Sequence, residues 1–190
     1  MTGVVLCGGA STRMGSDKGL LKEENSTWAE VAAQKLAALQ LSVVISVNRQ
    51  QVQAYAQIFP NEQLLVDNEI FDAKAPLFGL LSVHLQLPTE DLLVLACDLK
   101  NITAALLQDL YDVYQKEKGE ACVYQTVEKR QPLCGIYSAK GLRKIYDSFR
   151  EGNLKRFSMM HMLDILNTNY IPVKEKDLSA FNNYNTPEEL

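Results

Sequence analysis

Lys18, Asp67 and Asp98 are the side chains of this sequence whose type and setting suit chemistry on a polyanion. Lys18 lies near the end of the stretch GVVLCGGASTRMGSDKGLL at residues 3–21, in which a short apolar run, Val4, Val5 and Leu6, breaks at Gly8 and Gly9. Small polar residues follow, and Arg13, Gly15 and Lys18 fall within one loop. Glycine lacks a Cβ, so such a backbone can bring N–H groups close to phosphate oxygens, while the two cations supply full positive charge. A tight turn with two solvated basic residues is the plainer alternative; the order strand, glycine pair, Arg, Gly, Lys favours the anion loop. Two other phosphate motifs are excluded. Lys18 stands between Asp17 and Gly19 rather than in the Gly-Lys-Ser/Thr of a Walker loop, and G-x-G-x-x-G is missing.

Asp98 follows the most apolar strand candidate, residues 92–96. A carboxylate there is costly to bury unless it is paired, caps a helix or binds a cation. As a metal ligand it suits Mg2+, which takes one or two carboxylates and fills its shell with water and phosphate oxygens. The alternative is a cap for a helix starting near Thr103. Asp67 ends another short apolar run and has three open readings: orienting a nucleotide, completing a metal shell, or a turn that ends a strand. No nucleophile with a paired base stands out, which suits a transfer reaction that needs positioning and charge neutralisation rather than a covalent intermediate.

The elements that must position these residues follow from periodicity. Residues 28–39 are apolar at a helical spacing, 42–47 form a β-branched strand, 51–59 a second helix closed before Pro60, and 64–66 a third strand. This alternation predicts an α/β fold with a mostly parallel sheet and helices on both faces, with ligands at the carboxyl ends of strands, where Leu6, Asn48 and Asp67 fall. Pro76 starts a helix to 85, and Thr103 caps one over 104–116. Beyond these, strands are expected at 121–127, 132–137 and 170–173, and helices at 140–150 and 157–166, the last with a methionine-rich core face.

At 190 residues the chain reads as one domain, 1–190, without repeats or linkers. A net charge of −4 argues against nucleic-acid binding, and no apolar run is long enough for a bilayer. With no charged-then-apolar leader at Met1, a cytoplasmic location is expected. The four cysteines show no C-x-x-C spacing and the two histidines, His84 and His161, lie far from them, so zinc is not expected; the cysteines read as reduced, buried small hydrophobes.

The first loop resembles the signature L-x-G-G-x-S-x-R-M-G-x-D-K of the nucleotidyltransferases, met by Leu6, Gly8, Gly9, Ser11, Arg13, Met14, Gly15, Asp17 and Lys18. Within that superfamily the chain is most similar to the molybdenum cofactor guanylyltransferases, the MobA family. The resemblance continues through Asp67, Pro76-Leu77-x-Gly79, Leu95-Ala96-Cys97-Asp98 and Phe181-x-Asn183-x-Asn185-Thr186-Pro187. It implies a single-domain Rossmann-like three-layer sandwich of the nucleotide-diphospho-sugar-transferase type. The activity it implies is transfer of GMP from GTP to molybdenum-bound molybdopterin, releasing pyrophosphate. It assigns GTP to Leu6, Cys7, Gly8, Gly9, Lys18, Asp67 and Asp98, with Arg13, Lys18 and Asp98 catalytic and Mg2+ on Asp98. The acceptor falls to Pro76, Leu77, Gly79, Asn183 and Asn185, and delivery of the cofactor implies transient contact with carrier proteins. Ala75, Lys100, Gln131 and Ser46 depart from the pattern, at positions where the family has glycine, proline, histidine and, in some members, asparagine. They leave open a related transferase using CTP or a sugar or alcohol phosphate acceptor, and a non-catalytic nucleotide-binding accessory protein.

Overall fold

The computed structural model describes residues 1–7, 17–23, 25–71 and 75–182. Its frame is a seven-stranded sheet in the order β5-β4-β1-β6-β8-β7-β9, where β1 is Thr2–Leu6, β4 Ser42–Val47, β5 Leu64–Val66, β6 Leu92–Ala96, β7 Ala121–Gln125, β8 Arg130–Tyr137 and β9 Thr168–Pro172. The two remaining strands, β2 Lys22–Glu23 and β3 Ser26–Thr27, form a separate small hairpin. β8 alone runs against its neighbours, so the mostly parallel sheet expected from strand–helix alternation is the one found.

Helices cover both faces. On one side the inward residues of β1 and β6, Val5, Leu93 and Leu95, pack with α1 (Trp28–Ala37), α2 (Val52–Tyr55) and α4 (Ala104–Lys116). On the other, Val4, Leu6, Leu92 and Val94 pack with α3 (Pro76–Gln86), α5 (Ala139–Arg150) and α6 (Met159–Ile165). Strands buried on both faces read as unbroken apolar runs rather than as alternation, which is why 4–6 and 92–96 stand out in the sequence.

Helix starts obey local chemistry. Thr27 and Glu30 form a reciprocal capping box at α1, and Thr103 Oγ1 accepts from Leu106 N at 3.2 Å to cap α4. That removes the reading of Asp98 as the cap of α4. Pro76 occupies the first turn of α3, where its missing N–H costs nothing. The helix expected over 51–59 is corrected: the α-helical turn covers only Val52–Tyr55. Beyond it i→i−3 bonds, Gln57 N to Ala54 O and Ile58 N to Tyr55 O, mix with an i→i−4 bond from Phe59 N to Tyr55 O, and the Tyr55 and Phe59 rings stack on each other. Met159 and Met162 are buried, as their helical spacing predicts, and all four cysteines are buried and unbridged.

Candidate active site

From β1 the chain winds outward to β4 and β5, and then crosses back to place β6 on the other side of β1. The carboxyl ends of β1 and β6 therefore flank the point where strand order reverses, the usual crevice for ligands in such sheets. Leu6↔Ala96 is the last pair of that ladder, and Cys7 and Cys97 leave it side by side, with Cys97 N donating to Leu6 O at 3.3 Å.

Lys18 and Asp98 meet here. Lys18 Nζ lies 3.1 Å from Asp98 Oδ2, and the side chains are only 17% and 19% exposed. Lys18 opens a 3₁₀ turn, Lys18–Leu20, whose cap is Asp17, and Asp98 follows directly from the buried end of β6. The pairing satisfies both ions in the described structure, and both still border solvent.

Asp17 is the best-anchored carboxylate of the region. Its Oδ1 accepts from Gly19 N and from Tyr55 Oη, each at 3.0 Å, and its Oδ2 accepts from Gln51 Nε2 at 2.6 Å. Gln51 Nε2 also donates to Cys7 O at 3.0 Å, while Gln51 Oε1 accepts from Asn48 N at 2.8 Å. Gly19 is required for this packing, because a Cβ there would collide with the Tyr55 hydroxyl. Burial, the main cause, pushes the Tyr55 phenol far above its ordinary range and keeps it a donor.

A second cluster lies across β1. Ser46 Oγ, fully buried, donates to Asp67 Oδ1 at 3.5 Å. A Cβ on Gly79 would stand 3.1 Å from Ser46 Oγ, 3.5 Å from Asp67 Oδ1 and 3.7 Å from Leu6 Cδ2, so the ends of β1, β4 and β5 converge on one flank of α3. Burial pushes the Asp67 carboxyl up to about 6, against the opposing effect of the Ser46 hydrogen bond. The turn after Asp67 is tied to the same helix, with Asn68 N donating to Ser82 Oγ at 2.8 Å.

Lys18 and Asp98 are thus brought into contact, and Asp67, Gly79 and Leu6 are gathered in the neighbouring cluster. Leu6 and Leu77 are core side chains, 5% and 0% exposed, so only their backbones are left for a ligand. Cys7 N donates to Ser46 O and Cys7 O accepts from Gln51, which leaves the second lone pairs of the Leu6 and Cys7 carbonyls. Pro76 is exposed at the start of α3. Gly8, Gly9, Ser11, Arg13, Met14 and Gly15 lie outside the described residues, as do Asn183, Asn185, Thr186 and Pro187.

Gln51 and Tyr55 carry no motif and escape sequence reasoning. The usable signal is their spacing: positions four apart share a helix face, which puts a polar tip beside a buried phenol just after a strand end. Of the departures from the family pattern, Lys100 is absorbed by local contacts, pairing with Glu23 at 3.1 Å over the Trp28 ring. Gln131 is buried, and its Nε2 has no hydrogen-bond partner in the structure.

A cage for a cation is not present among the described residues, which hold no group of three or more His, Cys, Asp or Glu side chains suited to it. Asp98 offers a single partly exposed carboxylate. That donor set fits magnesium of the kind whose remaining positions are filled by phosphate oxygens and water.

Residues 3–164 match the family described as "MobA-like NTP transferase domain". The chain is 30% identical over 192 residues to the "Probable molybdenum cofactor guanylyltransferase" of Flavobacterium johnsoniae, covering 100% of this chain and 94% of that one. It is 27% identical over 190 residues to the protein of the same name from a Geobacillus species, covering 100% and 96%. In structure it is similar to molybdopterin-guanine dinucleotide biosynthesis protein A from Archaeoglobus fulgidus, with a TM-score of 0.78, 20% identity and coverage of 100% and 94%. At that identity the likeness establishes the fold.

Proposed function

The chain belongs to the MobA-like NTP transferase domain family, and from that membership we propose that it transfers GMP from GTP to molybdopterin carrying molybdenum, releasing pyrophosphate and forming the molybdopterin guanine dinucleotide. We read residues 1–190 as one such catalytic unit. The observation that carries the reading is the contact of Lys18 with Asp98 at the carboxyl ends of the sheet, where the strand order reverses. Its relatives' names supply the choice of base and acceptor.

In this reading Lys18 leaves Asp98 for the phosphates of GTP and, with Arg13, neutralises charge as the α-phosphate is attacked. Asp98, once free of Lys18, would hold magnesium, which would supply further neutralisation of the triphosphate. Asp67 accepts hydrogen bonds from the nucleoside. Gly8 and Gly9 supply backbone N–H groups to the phosphates. The acceptor lies toward Pro76, Gly79, Asn183 and Asn185, and its attacking group is its own terminal phosphate, so no protein nucleophile is needed. Unbridged, buried cysteines are in keeping with a reducing, cytoplasmic setting.

The test is a nucleotide panel read two ways. With magnesium present, GTP should raise the thermal midpoint more than equal concentrations of CTP, UTP or ATP, because stabilisation follows affinity. Pyrophosphate release should then require both GTP and the molybdopterin acceptor. Equal shifts for all four nucleotides, or preference for CTP, would sink the guanylyl assignment.

A further inference from the structure

Residues 8–16 join two fixed points, Cys7 at the end of β1 and Asp17 at the cap of the Lys18–Leu20 turn. One side chain touches both. Gln51 Nε2 carries two protons, and they go to Cys7 O at 3.0 Å and to Asp17 Oδ2 at 2.6 Å. Its Oε1 is fixed in turn by Asn48 N at 2.8 Å, and Asn48 Oδ1 accepts from the N–H groups of Gln50 and Gln51 at 2.9 and 3.2 Å. The Gln51 amide is therefore held on its oxygen side by Asn48, just after β4, while both its protons go to Cys7 and Asp17. Tyr55, one turn later and wholly buried, holds the other oxygen of Asp17.

We propose that Gln51, backed by Tyr55, is a positioning residue for the transfer reaction: it ties Cys7 at the end of β1 to Asp17 and so sets where Lys18 stands relative to the triphosphate. The inference rests on the nucleotidyl-transfer reading and adds to it residues that no phosphate motif contains. Lys18 is bonded directly to Asp17, so any freedom of Asp17 becomes freedom of the Nζ that must meet phosphate. The clasp is made of neutral donors, so it holds Asp17 without adding a charge of its own. An amide also suits the position better than a carboxylate, since Glu at 51 would face Asp17 with like charge.

Two variants of the full chain test the clasp through steady-state kinetics of pyrophosphate release. Gln51→Leu should raise KM for GTP and lower kcat, with kcat/KM down about tenfold or more and KM for the acceptor unchanged, the scale of losing a charged hydrogen bond that positions a reacting group. Gln51→Glu should show a similar deficit at pH 8 that closes, as a ratio to wild type, when the pH falls and one carboxyl of the pair can donate to the other. A residue that only stabilised the fold would lower the thermal midpoint without that pH-dependent recovery. Leu and Glu variants with kcat/KM within about twofold of wild type, or a Glu deficit independent of pH, would overturn the proposal. Tyr55→Phe, which removes one hydroxyl and keeps the ring, replaces both if they fail to fold, and should weaken GTP turnover about threefold. Wild-type chain that releases no pyrophosphate would instead refute the transferase reading. The clasp is then judged by amide exchange at Gly19, whose N–H bonds to Asp17: unchanged protection in Gln51→Leu would refute it.

Discussion

Lys18 Nζ and Asp98 Oδ2 stand 3.1 Å apart across a sequence separation of 80 residues, so the cation proposed to meet phosphate and the anion proposed to hold metal neutralise each other. Nucleotide and metal would exchange this one contact for two, which lets a partly buried crevice hold both charges without leaving either unpaired. The consequences are open to measurement at each partner.

Lys18→Ala should weaken GTP binding by about one to two decades, the worth of a charge-assisted hydrogen bond to phosphate. Because both side chains still border solvent, loss of the pair should cost on the order of 1 kcal/mol of stability, a shift of about 2–4 °C. Titration calorimetry with GTP and a thermal scan together check this. Normal affinity would leave Lys18 as a surface cation.

Asp98→Asn keeps the shape of the side chain and removes the charge a hard cation requires. Since Thr103 already caps α4, the fold should be retained. Pyrophosphate release should fall by about two decades, the scale of one lost electrostatic contact in a transition state. Turnover with unchanged magnesium dependence would rule out Asp98 as the ligand.

Asp67 gives a pH signature. Burial raises its carboxyl to about 6 from 3.8, so between those values the folded chain binds the proton more tightly than the unfolded chain does. Stability from this group is therefore greatest below about pH 4 and is lost as pH rises through about 6. Asp67→Asn should match wild type in acid and gain on it near pH 7, seen as diverging thermal midpoints. GTP affinity runs the other way: the wild type should bind more weakly below about pH 6, as the accepting carboxylate takes up its proton, and the Asn variant should show a flatter profile.

Gly19→Ala drives a methyl into the hydroxyl of Tyr55, a ring that cannot withdraw because it is fully buried and stacked on Phe59. The expected loss is about 1–3 kcal/mol, typical of an overfilled site. Adding Tyr55→Phe removes the colliding atom and should return part of it. Additive losses in the double variant would show that the two positions do not press on each other.

The sequence by itself determined what local patterns can carry: the apolar runs of β1 and β6, the capped start of α4, Pro76 at the head of α3 and the loop whose residue order matches the family. These are readable because period, capping and turn chemistry act between residues a few positions apart. Tertiary structure alone decided which distant residues meet. Crossing back past β1 sets Asp98 against Lys18, and the convergence of β1, β4 and β5 on α3 brings Ser46, Asp67 and Gly79 together. The reversed direction of β8 and the clasp of Gln51 on Cys7 and Asp17 left no periodic trace, since a hydrogen bond between residues tens of positions apart constrains neither partner's neighbours.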